Sequence, residues 1–186
     1  MCFSDITCHH IFVFTAFLCL SSSFVGYGQN NSGKFCNELN TILESAKSGF
    51  NSTKGEKTER IISGNPKTFF VNSISLDSAN ECYINDVVEY PELTCILASN
   101  NRIDEELSNK YNKIRASIKN CLSIDWVFSD QDSTNNFFLE GTKYRKLVGV
   151  KKVDEKKLKI ELFMYSSMIE KVRVVELKIE GIATKD

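Results

Sequence analysis

The sequence predicts an α+β fold, an antiparallel β-meander sheet with two helices packed on one face. Three observations lead there. Apolar residues recur at three- and four-residue steps over 35–50 and again over 103–122, the spacing of one buried helix face. Leu158, Ile160, Leu162 and Met164 alternate with Lys159, Glu161 and Phe163, the period-two pattern of a sheet with one face in the core. The other apolar runs are short and separated by brief polar turns, as antiparallel neighbours require. With 186 residues, 42% apolar and 25% charged, the chain suits one ordinary core in a single domain.

The first segment, 1–28, has no Lys or Arg, and its only acid is Asp5. Within it 11–20 is uncharged, and Ser21-Ser22-Ser23 and Gly26-Tyr27-Gly28 follow before Gln29. That is the pattern of an apolar signal core with a small-x-small site, so cleavage between Gly28 and Gln29 and export to a periplasm or the medium are expected. Ten to fourteen apolar residues rise only about 15–20 Å as a helix, against roughly 30 Å of hydrocarbon, so no stable membrane span is expected. The missing basic start departs from the usual signal, and a buried element of the fold is the plainer alternative. Leu18 before Cys19 speaks against a lipoprotein site.

The remainder, 29–186, reads as the exported domain. Residues 29–34 are polar and are expected as a flexible N-terminus. Phe35, Leu39, Ile42, Leu43, Ala46 and Phe50 mark the first helix, and Gly49 marks its end. The polar, Gly-punctuated stretch 51–65 is expected as a flexible surface loop. Strands are expected at 68–76, 81–87 and 93–98. The second helix opens near Asn100, with Asp104, Glu105 and Glu106 at its positive dipole end, and buries Ile103, Leu107, Tyr111, Ile114, Ile118 and Leu122. Further strands are expected at 124–128, 137–139, 144–153, 157–165 and 171–180. In the last, the alternation slips between Val174 and Val175, which predicts a bulge or a segment covered on both sides. No internal repeat is visible.

Four of the seven cysteines lie beyond 1–28, and an even number in an exported chain favours disulfides. Cys82 and Cys95 flank a turn-like stretch and would face each other across a hairpin. Cys36 and Cys121 lie near the start of one helix and the end of the other, as antiparallel neighbours would place them. The expected bonds are therefore Cys82–Cys95 and Cys36–Cys121. Four free buried thiols are the alternative; a zinc site lacks paired C-x₂₋₄-C spacing.

Removal of 1–28 takes both histidines and Asp5, leaving 23 bases and a balanced charge. Histidine-dependent triads and zinc sites fall with those residues. G-x-S-x-G, S-x-x-K, G-x-x-x-x-G-K-[ST] and G-x-G-x-x-G are absent from the sequence, so no nucleophile elbow or phosphate loop is indicated and no cofactor is expected. Asp130-Gln131-Asp132 resembles the opening of a calcium loop, but Asn135 and Gly141 stand where Gly and Glu belong. Asp125 beside Trp126 fits two faces of a strand better than a catalytic pair. Asn30 and Asn51 match the N-glycosylation pattern.

Charge is unevenly spread. Residues 77–106 carry a net of −7, whereas 143–159 carry +6 through Lys143, Arg145, Lys146, Lys151, Lys152, Lys156, Lys157 and Lys159. The basic run is a candidate interaction patch, set against the plainer reading of lysines on the solvent side of strands. It lacks the interleaved aromatics of a nucleic-acid surface, and no nucleic acid is expected. The functional expectation is a non-enzymatic, disulfide-braced domain that binds a protein partner or forms a homo-oligomer. A carboxylate-based hydrolase and a small-ligand or lipid carrier are the alternatives.

Overall fold

A computed structural model describes residues 29–62, 65–86, 89–101, 105–133, 144–167 and 172–183. Two helices, α1 (Gln29–Ala46) and α2 (Glu105–Cys121), each precede a run of strands. The first run is β1 (Lys54–Ile62), β2 (Asn65–Asn72), β3 (Glu81–Asn85) and β4 (Glu92–Asn100). The second is β5 (Val127–Ser133), β6 (Tyr144–Val153), β7 (Lys156–Ser167) and β8 (Val172–Glu180). All eight strands form one sheet in the order β1-β2-β3-β4-β8-β7-β6-β5, with every neighbour antiparallel. The fold is thus an α+β antiparallel sheet with two helices. Each half is a helix followed by a four-strand meander, and the halves join through their last strands, β4 and β8. The connectivity repeats although the sequence does not.

The core lies between one sheet face and the helices. Leu39, Ile42 and Leu43 of α1 and Tyr111, Ile114 and Ile118 of α2 pack with Leu93, Cys95, Leu147, Ile160, Leu162, Leu177 and Ile179 of the sheet. The helix residues are those of the three- and four-residue steps, and Ile160 and Leu162 belong to the period-two alternation. Each buried Leu or Ile contributes about 1.5–3 kcal/mol relative to exposure. α1 ends where Gly49 (φ 66°) and Phe50 (φ 64°) enter the left-handed region. A phenylalanine there costs roughly 1–3 kcal/mol, and complete burial of its ring offsets this. The C-terminal tail finishes the same helix end: Ile182 N–H donates to Ala46 O at 2.8 Å, and Gly181 N–H to Pro91 O at 2.7 Å. Any Cβ on Gly181 would stand 2.7 Å from the Phe50 ring, which is why glycine is required.

Cys36 of α1 bonds Cys121 of α2, and Cys82 bonds Cys95, its directly opposite partner in the β3–β4 ladder. These are the two pairs expected from the sequence, although Cys36 lies two turns into α1 and not near its start. By loop entropy the shorter bond contributes about 3 kcal/mol and the longer about 4.5 kcal/mol.

Several local expectations are corrected. α1 begins at Gln29, so 29–34 form its first turns; these residues lack the apolar stripe by which periodicity detects a helix. The stretch expected as a loop at 51–65 contains β1, whose side chains are almost all solvated because it lies at the sheet edge, so no alternation marks it. β2 stops at Asn72, and Leu76 instead anchors the following loop in the core. β5 runs through 127–133, not 124–128, and Ile124 is 99% exposed ahead of it. The slip at Val174 reflects a bulge on the neighbouring strand, between Ile96 and Ala98 of β4, and Val174 to Leu177 are all buried. The segment 1–28, the strand expected at 137–139 and Lys143 lie outside the described residues.

Candidate functional site

Alternation along each strand sends one set of side chains to the helices and the other to the sheet face that, among the described residues, carries no helix. That second face is not a plain solvated surface. Glu176 of β8 lies on it yet is only 5% exposed. Tyr165 O–H donates to Glu176 Oε2 at 2.9 Å, and the Lys178 ammonium sits 3.5 Å from its Oε1 and 3.2 Å from Glu92. Thr94 O–H donates to Glu92 at 3.2 Å. Burial alone would lower the Lys178 pKa, but the charges of Glu176 and Glu92 outweigh it and hold the ammonium above its ordinary value.

Aromatic rings flank this ionic centre. On the β1 side, Phe69 meets Tyr83 edge to face at 5.1 Å, and Arg60 stacks over Tyr83 at 4.3 Å while bonding Glu81 at 2.9 Å. Burial raises the Tyr83 phenol, and the negative charge of Glu176 adds to the effect. On the β6 side, Phe163 and Tyr165 pack edge to face at 6.4 Å, and Lys146 lies 4.6 Å from the Phe163 ring. Lys146 also pairs with Glu161 at 2.6 Å, and Lys159 bridges Glu161 and Glu180 at 3.2 and 3.4 Å. The Lys159 pKa is raised because those two acids outweigh its burial. The result is three half-buried rings, Tyr83, Phe163 and Tyr165, and a buried one, Phe69, set among paired charges. Such rings contribute large contact area with little freedom left to lose.

Among the described residues, the basic run is divided between the two faces of the sheet. Arg145 and Lys151 point to the helix side, where Arg145 bonds Asn112 at 2.9 Å and stacks on Tyr111, and Lys151 pairs with Asp125 at 3.2 Å. Lys146 and Lys159 belong to the open face with acid partners, and Lys156 donates to Ala183 O at 2.9 Å. Lys152 and Lys157 stand opposite each other in the β6–β7 ladder, both exposed. The period-two geometry of β6 and β7 divides a run that is contiguous in sequence. Cys36, Cys82, Cys95 and Cys121 brace the scaffold as bonds and carry no free thiol.

Asp130, from the calcium-like stretch, lies in β5 and accepts from Arg115 at 2.7 and 2.6 Å and from Lys119 at 2.8 Å. These hydrogen bonds, with Arg115 first, hold its carboxyl well below the usual carboxylate range. Among the described residues no cluster of His, Cys, Asp and Glu could hold a metal ion. Where β2 and β3 part lies an open groove of about 450 Å³ lined by Arg60, Asn72, Glu81 and Tyr83. Its acid, Glu81, is the one already bound to Arg60, so the groove offers no pair of facing carboxylates for hydrolytic chemistry. No helix among the described residues is long and apolar enough to cross a membrane. Sequence reading missed the open-face cluster because its members are scattered over β1, β2, β3, β4, β6, β7 and β8. The usable signal was Tyr165 and Glu176, polar-tipped residues within otherwise apolar strands. The chain matches no known protein family, and no curated protein matches it.

Proposed function

We propose that the protein is an exported, disulfide-braced, non-enzymatic module that binds another protein through the sheet face turned away from α1 and α2. The observation that carries this reading is the ordered row of Tyr83, Phe163 and Tyr165 around buried Glu176 and its half-buried partner Lys178. Half-buried tyrosines, a phenylalanine and an arginine fixed by neighbours are the kinds of side chain enriched at protein interfaces. Two disulfides and the apolar opening segment support export, since such bonds persist in oxidising compartments.

Pull-down from the native extracellular or periplasmic fraction tests the face. Phe163→Ala with Tyr165→Ala is expected to abolish capture of any protein held by the wild type. Identical capture by both, or a strict monomer at all salt concentrations with nothing captured, overturns the reading. Intact mass before and after reduction tests export: cleavage after Gly28 and a gain of about 4 Da, two protons per bond, are expected.

A further inference from the structure

The first strand, the least apolar of the eight, carries a second recognition feature. Among the described residues β1 is one edge of the sheet and pairs with β2, regularly from Lys57–Phe70 to Ile62–Asn65, with a register shift between Lys54 and Lys57. Its sequence from Glu56 is Glu-Lys-Thr-Glu-Arg. Outward from Thr58 in the two directions, the signs are opposite at each step: Lys57 against Glu59, then Glu56 against Arg60. Charges on an edge strand ordinarily discourage pairing. In this order they disfavour the registers immediately on either side of the one centred on Thr58.

We propose that a second copy of this chain pairs antiparallel along β1, with the two-fold axis at Thr58. This rests on the reading of the protein as a binding module and adds a partner and a surface to it. In that register Lys57 meets Glu59 of the second copy and Glu56 meets Arg60, each pair occurring twice by symmetry. A slip of one residue sets Glu56 against Glu59 or Lys57 against Arg60, so like charges meet and the register is specified. Arg60 is already held by Glu81 and Tyr83, so the Lys57–Glu59 pairs carry recognition. The opposite edge, β5, has two acids and no base, and Asp130 is already engaged by Arg115 and Lys119, so it cannot complement itself. Joining at β1 closes the assembly as a dimer with one continuous sheet.

Sedimentation of the disulfide-intact protein over a range of concentrations tests this. A reversible dimer is expected, weakening with salt. Lys57→Glu alone and Glu59→Lys alone each set like charges opposite one another twice, and each is expected to weaken the dimer about tenfold or more. Both substitutions in one chain restore the pairs and the affinity. An equimolar mixture of the two single variants is expected to form a heterodimer of wild-type strength. Both positions are exposed, so unchanged melting of the monomers serves as the folding control. A monomer at every concentration overturns the proposal, as does a dimer indifferent to the reversals or a mixture that fails to recover. The open-face reading falls separately, through the capture experiment with Phe163 and Tyr165.

Discussion

The two meanders share one connectivity and are held by different means. In the first, β2 and β3 are paired only at Phe70–Ile84 and Val71–Tyr83, and β1 has few buried side chains. The Cys82–Cys95 bond stands in this half. In the second, β6 and β7 pair without a break from Arg145–Met164 to Val153–Lys156, with alternating apolar residues behind every other pair and no disulfide. The difference teaches that a covalent tie substitutes where the ladder is short and the apolar face is narrow. Where the alternation is long, packing and hydrogen bonds suffice.

The largest test of that contrast removes the bonds. Cys36→Ala with Cys121→Ala is expected to cost about 4.5 kcal/mol in chemical denaturation, because this bond ties the two halves together. Cys82→Ala with Cys95→Ala should cost about 3 kcal/mol, with amide exchange accelerated in β2 and β3 and little changed in β7. Uniform acceleration across both meanders would break the comparison. Next comes Leu162→Ala, expected to cost about 3 kcal/mol as a buried cavity, whereas Ile61→Ala on β1 should stay within about 0.5 kcal/mol. Gly149→Ala is expected to destabilise by about 1–3 kcal/mol, since a Cβ there would stand 2.6 Å from the Phe128 ring and 2.8 Å from Ile160.

The smallest effects concern pH. The Asp130 carboxyl is depressed, so its contribution is complete above the unfolded value near pH 3.9 and is lost as pH falls. Asp130→Asn should therefore flatten the acid limb of a stability–pH curve. Tyr83, in the first meander, is raised by burial and by Glu176, so its contribution is present below about pH 10 and lost as pH rises. Tyr83→Phe should flatten the alkaline limb instead. A reversal of these two assignments would show that the charge networks are not divided between the halves in this way.

Legibility in the sequence follows the same divide. β7 was readable because a sheet buried on one face writes its alternation into the residues, and β6 and β8 were readable as apolar runs between short turns. β1 was not, because an edge strand beyond the helices has no buried side to alternate with. The helices were legible from their stripes, but α1's first turns, 29–34, were not, since they lack that stripe. Both disulfides could be reasoned from hairpin and helix placement. The open-face cluster could not, because Tyr83, Glu92, Tyr165 and Glu176 meet only through strand order, and β4 beside β8 is a long-range pairing that no local pattern records. The basic run misled for the converse reason: neighbours in sequence alternate between faces.

The connectivity of the bonds has a consequence for biogenesis. Cys82–Cys95 lies wholly inside the span closed by Cys36–Cys121. A chain threaded N-terminus first into an oxidising compartment, as the proposed export requires, presents Cys36 and then Cys82 long before Cys121 arrives. Oxidation in order of emergence would create Cys36–Cys82 and Cys95–Cys121, both non-native. Correct maturation therefore depends on thiol–disulfide exchange, or on folding that outruns the oxidant, and yield should follow the isomerase capacity of the host.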